Sequence, residues 1–131
     1  MKTLTLTPKQ IDWCYGLAEK RLARFIDRTH EKYENSQHSH RQGALGELAT
    51  YCFLKRNGIE VTPHFNDNDS LPDLEVKGKG IEVKTWAEHN WPTLGRCVAE
   101  YQYPKMKQNT YIIWCTGPFA PEESYQPYIV T

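Results

Sequence analysis

The stretch Leu71–Lys84, with the sequence LPDLEVKGKGIEVK, decides the fold of this chain, because it holds two strand patterns on either side of a turn signal. Residues 73–77 and 81–86 both alternate polar and apolar side chains, which is the period of a half-buried strand. The sequence Gly78-Lys79-Gly80 between them is typical of a tight turn. The stretch therefore predicts a β-hairpin.

The hairpin is expected to carry its charged residues on one face. With a loop centred on Gly78-Lys79, Glu75 would face Glu82 and Asp73 would face Lys84. Asp73 and Glu82 would then be diagonal neighbours, roughly 7–8 Å apart at the backbone and within reach of one Mg²⁺. The opposite face would carry Leu74, Val76, Ile81 and Val83. The competing interpretation is an exposed strand face with ordinary charges.

A helix is predicted ahead of the hairpin, over residues 43–56, and Asn57-Gly58 would end it. Its apolar stripe consists of Ala44, Leu48, Tyr51 and Cys52. Glu47 falls toward this buried side, where an unpaired charge is costly. We therefore expect Glu47 to have a partner, either a metal ion or a basic group such as Arg41 or Lys84. Without the hairpin, a Glu47 that reaches out to water would be the better interpretation.

Two glycines, Gly43 and Gly46, lie in the first turn of this predicted helix. Glycine is a poor helix former. Their presence indicates a close approach to another backbone or to a ligand.

Glu47, Pro72-Asp73 and Glu82-Val83-Lys84 follow one another in an order that resembles the PD-(D/E)XK nuclease superfamily. The layout is similar to archaeal-type Holliday junction resolvases and to related phage and restriction nucleases, over residues 41–116. The resemblance implies an α/β (α+β) fold with a restriction-endonuclease-like core. In that core, a central mixed β-sheet is flanked by helices, in the order helix, three antiparallel strands, helix and strand.

The resemblance also implies a role for each site residue in Mg²⁺-dependent hydrolysis of DNA phosphodiester bonds, with Mn²⁺ as a substitute. Asp73, Glu82 and the backbone carbonyl of Val83 would bind the metal. Glu47 would bind it directly or through water. Lys84 would orient the attacking water and lower its pKa, and it should stay charged beside the carboxylates.

The chain departs from the family after the hairpin. No Gln-x-x-x-Tyr motif of the RecB-like branch follows it, and residues 96–102 alternate like another strand. These features put the usual second core helix in doubt.

The length of 131 residues predicts one domain spanning 1–131. An extra N-terminal helix is predicted over 8–28, capped by Thr7 with Pro8 at its first position. Residues 111–116 and 128–131 are predicted strands. The longest apolar run is too short for a membrane span, and residues 1–7 lack a signal-peptide core. We expect a cytoplasmic protein of a bacterium or a phage-infected cell, without a membrane partner.

Other residues offer weaker candidates. The four cysteines lack metal-binding spacing and are expected to be small buried hydrophobes: Cys14, Cys52, Cys97 and Cys115. The segment His38–Arg41 suits a polar loop, with metal or phosphate binding as the alternative. His64 is a further candidate for the metal site, although a role outside that site is the favoured interpretation.

The net charge of zero argues against a protein that binds DNA through electrostatic attraction alone. Basic residues nonetheless follow the start of the hairpin, and arginines line the N-terminal helix: Lys77, Lys79, Lys84, Arg96, Lys105 and Lys107, with Arg21, Arg24 and Arg28. Four aromatics after the hairpin suit either sheet packing or stacking on unpaired bases: Trp86, Trp91, Tyr101 and Tyr103.

The sequence leaves three functions open. The first is a metal-dependent endonuclease that cuts DNA. The second is an inactive nuclease-fold module that binds nucleic acid or a protein partner. The third is a structural protein whose acids and lysine form surface ion pairs, which contribute only about 0–1 kcal/mol each. Substrate structure and oligomeric state are not determined, although paired cuts on two strands would need a homodimer.

Overall fold

The computed structural model describes residues 2–25, 37–65, 71–87, 110–117 and 128–130. These residues form two helices and six strands. In chain order they are β1 (Lys2–Leu4), α1 (Pro8–Phe25), α2 (Gln37–Arg56), β2 (Thr62–Pro63), β3 (Leu74–Val76), β4 (Lys79–Ala87), β5 (Thr110–Gly117) and β6 (Tyr128–Val130).

The six strands form one mixed sheet in the order β1-β6-β5-β4-β3-β2. Strands β4 and β5 pair in parallel, and the other neighbouring strands are antiparallel. This confirms the predicted α/β (α+β) class with a central mixed sheet. The expected strands at 111–116 and 128–131 are present as β5 and β6, whereas β1 was not predicted. The narrower restriction-endonuclease-like fold stays a prediction.

Helix α1 begins as predicted. The hydroxyl of Thr7 accepts a hydrogen bond of 3.2 Å from the amide of Gln10, and the Gln10 side chain accepts one of 2.8 Å from the amide of Thr7. This reciprocal pair is a capping box, which satisfies two amides that the first helical turn leaves without partners. The described part of the helix ends at Phe25, so the predicted continuation to residue 28 lies outside it.

Helix α2 starts earlier than predicted. It begins at Gln37, so His38–Arg41 is helical and the prediction of a polar loop there was wrong. Gln, His and Arg are compatible with a helix, and their polarity reflects exposure more than loop structure. Contacts with α1 support this turn, because Gln37 donates a hydrogen bond of 2.6 Å to Glu19.

The end of α2 matches the prediction. Gly58 has a φ of 74°, a left-handed conformation that glycine adopts without strain. The amides of Gly58 and Ile59 donate to the carbonyls of Lys55 and Leu54 at 3.1 and 3.0 Å. This is the Schellman arrangement, which uses carbonyls at the helix end that would otherwise lack partners.

The β3–β4 hairpin forms, but its register differs from the prediction by two residues. Leu74 pairs with Ile81 and Val76 with Lys79, so the loop consists of Lys77 and Gly78. These two residues have φ values of 50° and 77°, as a type I′ turn requires. Because the shift is an even number of residues, every side chain keeps the predicted face.

Helix α2 lies between α1 and the sheet. Residues 44–50 of α2 are all buried, because α1 covers one side and strands β4 and β5 cover the other. The sheet's part of the core consists of Leu4, Leu74, Ile81, Val83 and Cys115.

One of the two expected close approaches occurs in this packing. A Cβ on Gly46 would lie 1.7 Å from Oγ1 of Thr85. Near Gly43, the described residues leave open space, so none of them makes the expected close approach there.

Neither described helix is long and apolar enough to cross a membrane.

Candidate functional site

The charged face of the hairpin carries three of the predicted site residues. The observed pairing of Leu74 with Ile81, continued by one residue, places Asp73 directly opposite Glu82. Lys84 follows on the same face of β4, two residues further along. The corrected register thus makes Asp73 and Glu82 direct cross-strand neighbours, which are closer than the diagonal pair predicted from the sequence.

Asp73 is tied to the strands on both sides of it. Its Oδ2 accepts a hydrogen bond of 2.8 Å from the amide of Val83 in β4. Its backbone carbonyl accepts one of 3.0 Å from the amide of His64, just after β2. These bonds hold Asp73 in place where β3 has not yet begun. The carbonyl of Val83, a predicted metal ligand, lies in the same strand segment as Glu82 and Lys84.

The electrostatics of the site centre on Asp73. Burial raises the pKa of Asp73 well above its usual value, and the negative charges of Glu47 and Glu82 raise it further. The hydrogen bond from Val83 and the charge of Lys84 act in the opposite direction. Glu47, Glu82 and Lys84 therefore all act on the charge of Asp73, and the negative groups outweigh the positive one.

Glu47 is buried, as predicted, with only 6% of its surface exposed. Its hydrogen-bonded partner is Arg21 of α1, which was not among the basic groups expected for it. Nη1 of Arg21 lies 2.5 Å from Oε2 of Glu47, and Nη2 lies 2.9 Å from Oε1. Arg21 also donates a hydrogen bond of 2.9 Å to the carbonyl of Phe65.

Arg41 makes other contacts. Its guanidinium lies 4.4 Å from the centre of the Tyr15 ring and 4.0 Å from the carboxylate of Glu19.

Arg21 is the site residue that the sequence analysis missed. The sequence placed it only among the basic residues of the N-terminal helix. In the structure, burial would lower the pKa of Arg21, but Glu47 and Asp73 outweigh burial and raise the pKa above its usual value. A signal was present in the sequence, because Arg21 follows Ala18 by three residues and Cys14 by seven. This spacing continues the buried stripe of α1.

A side-chain contact between a histidine and a carboxylate lies beside the hairpin. Nε2 of His64 is 2.9 Å from Oε1 of Glu75, which projects from the same face as Asp73. Continuing the β2–β3 register places His64 opposite Asp73. His64 is therefore close to the site in the strand order, but its ring is engaged with Glu75.

The carboxylates of the site can be compared with the ligands that a divalent cation prefers. Mg²⁺ prefers oxygen ligands and is usually held by one or two carboxylates together with water and substrate phosphates. Asp73 and Glu82 fit this requirement, and a cation would relieve the charge repulsion that raises the pKa of Asp73. Within the described ranges, however, no three His, Cys, Asp or Glu side chains come together as a metal-binding group.

The cysteines behave as small hydrophobes where they are described. Cys14 and Cys115 are buried, Cys52 is half-buried, and all three are free thiols. Burial raises the pKa of Cys14 and of Cys115 to about 12 in each case, and the charge of Glu47 adds to the effect at Cys14. These thiols are therefore not suited to nucleophilic chemistry.

Several predictions fall outside the described residues. They concern the strand at 96–102, the second core helix, Cys97, Arg28, the basic residues Arg96, Lys105 and Lys107, and the aromatics Trp91, Tyr101 and Tyr103.

Comparisons of the chain with protein-family models, with curated proteins and with solved structures found no match.

Proposed function

We propose that this protein is a metal-dependent endonuclease that hydrolyses phosphodiester bonds in DNA, in the cytoplasm of a bacterium or a phage-infected cell. The observation that carries the proposal is the hairpin register, which, continued one residue beyond β3, brings Asp73 opposite Glu82, with Lys84 on the same face. Negative charge predominates around Asp73, as a cation site requires. The resemblance of these residues to the PD-(D/E)XK pattern supports the same reaction.

In this proposal, Asp73 and Glu82 hold the divalent cation, with the carbonyl of Val83 as a further ligand. A bound Mg²⁺ supplies activation of water and stabilisation of charge on the phosphate. Lys84 orients the attacking water and offsets negative charge on the phosphate oxygens. The amide of Val83 keeps the Asp73 carboxylate turned toward β4.

The alternative is an inactive nuclease-fold module that binds nucleic acid or a protein partner. Two observations favour it: Glu47 is engaged by Arg21, and no three metal-ligating side chains gather among the residues that the structure describes. Such a module would be expected to bind a partner without metal and without cutting.

The test is cleavage of supercoiled plasmid, linear duplex, single strand and four-way junction, each with Mg²⁺, with Mn²⁺ and with EDTA. Asp73→Asn, Glu82→Gln and Lys84→Gln should each reduce the rate by at least about 100-fold. Lys55→Gln, exposed at the end of α2, and Glu60→Gln, on an exposed loop, are matched controls that should retain the rate. Binding of DNA without cutting under any condition would support the inactive module instead.

A further inference from the structure

Arg21 and Glu47 form an ion pair in which both carboxylate oxygens take part. Both oxygens of Glu47 accept hydrogen bonds from Arg21, at 2.5 and 2.9 Å. A third bond of 2.9 Å joins Arg21 to the carbonyl of Phe65. Arg21 thus connects α1, α2 and the residues after β2, and its position does not depend on Glu47 alone.

The pair is largely shielded from water. The side chain of Glu47 is 7% exposed and that of Arg21 is 18% exposed. A buried guanidinium that loses its carboxylate is strongly unfavourable, because no solvent replaces the lost partner. Sharing Glu47 with a divalent cation would also bring two positive groups together, which Coulomb repulsion opposes.

We propose that Arg21 is the permanent counter-cation of Glu47, so that Glu47 acts as half of a neutral ion pair and is not a ligand of the metal ion. This inference rests on the proposed function, since it states which carboxylates bind the divalent cation. Asp73 and Glu82 then provide the side-chain ligands. With Glu47 neutralised, the two remaining carboxylates and Lys84 leave a site suited to one divalent cation.

The charge of Arg21 also extends to the hairpin. Asp73 contributes to the raised pKa of Arg21, so the guanidinium lies within electrostatic reach of the proposed metal ligands. Arg21 is a positioning residue in this arrangement. It holds Glu47 and limits the negative charge of the site without touching substrate.

The experiment measures the dissociation constant of Mn²⁺ by electron paramagnetic resonance on the full chain, without DNA. The proteins are wild type, Asp73→Asn, Arg21→Gln and the double variant Arg21→Gln/Glu47→Gln. Arg24→Gln, on the exposed side of the same helix, is the control for loss of an arginine charge. Circular dichroism establishes that each protein is folded.

Arg21→Gln should tighten Mn²⁺ binding by about tenfold, since a nearby positive charge is removed and Glu47 is released. The double variant replaces an ion pair of zero net charge by two uncharged amides. Its dissociation constant for Mn²⁺ should therefore lie within about threefold of the wild-type value. It should also fold even where the single variant does not, because exchange of a whole buried ion pair is often well tolerated.

Binding by the double variant as weak as that of Asp73→Asn would overturn the inference, because Glu47 would then be a ligand. Unchanged affinity in a folded Arg21→Gln would overturn it as well. A wild type that binds no Mn²⁺ contradicts the proposed function. In that case, Mn²⁺ binding gained by Arg21→Gln would still support the counter-cation role of Arg21. Failure of Arg21→Gln to bind Mn²⁺ would reject that role.

Discussion

The carboxylate of Asp73 accepts a hydrogen bond of 2.8 Å from the amide of Val83, although burial and the charges of Glu47 and Glu82 raise its pKa. The folded protein therefore places this carboxyl group where its charged form is less favourable than it is in water. Functional sites commonly carry such unfavourable electrostatics, because the charge is needed for binding and not for folding.

Replacement of this charge should stabilise the protein. Asp73→Asn keeps an oxygen that can accept the hydrogen bond from Val83 but removes the repulsion. In buffer with EDTA at pH 7, we expect the free energy of unfolding to rise by about 0.5–2 kcal/mol, as measured by urea denaturation. A loss of stability at pH 7 would contradict the electrostatic account of Asp73.

The pH dependence of this gain follows from the direction of the pKa shift. Because the pKa of Asp73 is higher in the folded state, the folded protein binds more protons between the unfolded and folded pKa values. Wild-type stability therefore falls as pH rises through that window. The advantage of Asp73→Asn should disappear below about pH 3.9, where the carboxyl is protonated in both states. Urea denaturation of both proteins at pH 3 and pH 7 measures the difference.

Gly46 permits the contact between α2 and β4. In Gly46→Ala, the added methyl would lie 1.7 Å from Oγ1 and 2.7 Å from Cβ of Thr85. The helix would have to move, and we expect a loss of about 3 kcal/mol or more in the free energy of unfolding. Thr85→Ala should restore part of the loss in the double variant.

Gly43→Ala is the matched control for this prediction, in the same helix. The described residues leave open space around Gly43, and alanine is the better helix former. A gain of about 0.5–1 kcal/mol is expected. Equal losses in both variants would show that the close approach at Thr85 is not the cause.

A substitution in the turn of the β3–β4 hairpin should stabilise the protein. Lys77 has a φ of 50°, which is unfavourable for lysine but well tolerated by asparagine. Lys77→Asn creates the Asn-Gly sequence preferred in type I′ turns and should raise the melting temperature, with a gain of about 0.5–1 kcal/mol. Gly78→Ala, at a φ of 77°, should lower it. A lower melting temperature for Lys77→Asn would argue against this turn type.

The buried thiols predict a loss of stability in alkali. The pKa of Cys14 and of Cys115 is raised to about 12 in the folded state, from an ordinary value of 9.0. Above pH 9, the unfolded chain releases these protons while the folded chain keeps them, so the free energy of unfolding falls as pH rises. Cys115→Ala should show a shallower decline between pH 8 and pH 10 in urea titrations, after allowance for the cavity that it creates.

Local patterns were sufficient for much of the architecture. Thr7-Pro8 marked the start of α1, and Asn57-Gly58 marked the end of α2. Alternation in residues 73–86 indicated the hairpin and the face of each charged residue. These features depend on neighbours in the chain, which the sequence shows directly. The predicted register of the hairpin was wrong by two residues. Two turn signals overlap in Lys77–Gly80, and each allows a different two-residue loop. The alternation of polar and apolar residues is the same for both loops, so it does not distinguish them.

The sequence by itself determined that Asp73, Glu82 and Lys84 share one face, since the period of a strand places alternate residues on the same side. It also determined that Glu47 is buried and needs a partner. Only the tertiary structure decided that this partner is Arg21, because the choice depends on how α1 packs across α2, 26 residues away in the chain. Burial of a charge can be anticipated from a helical pattern, but the group that neutralises it is selected by contacts between distant segments.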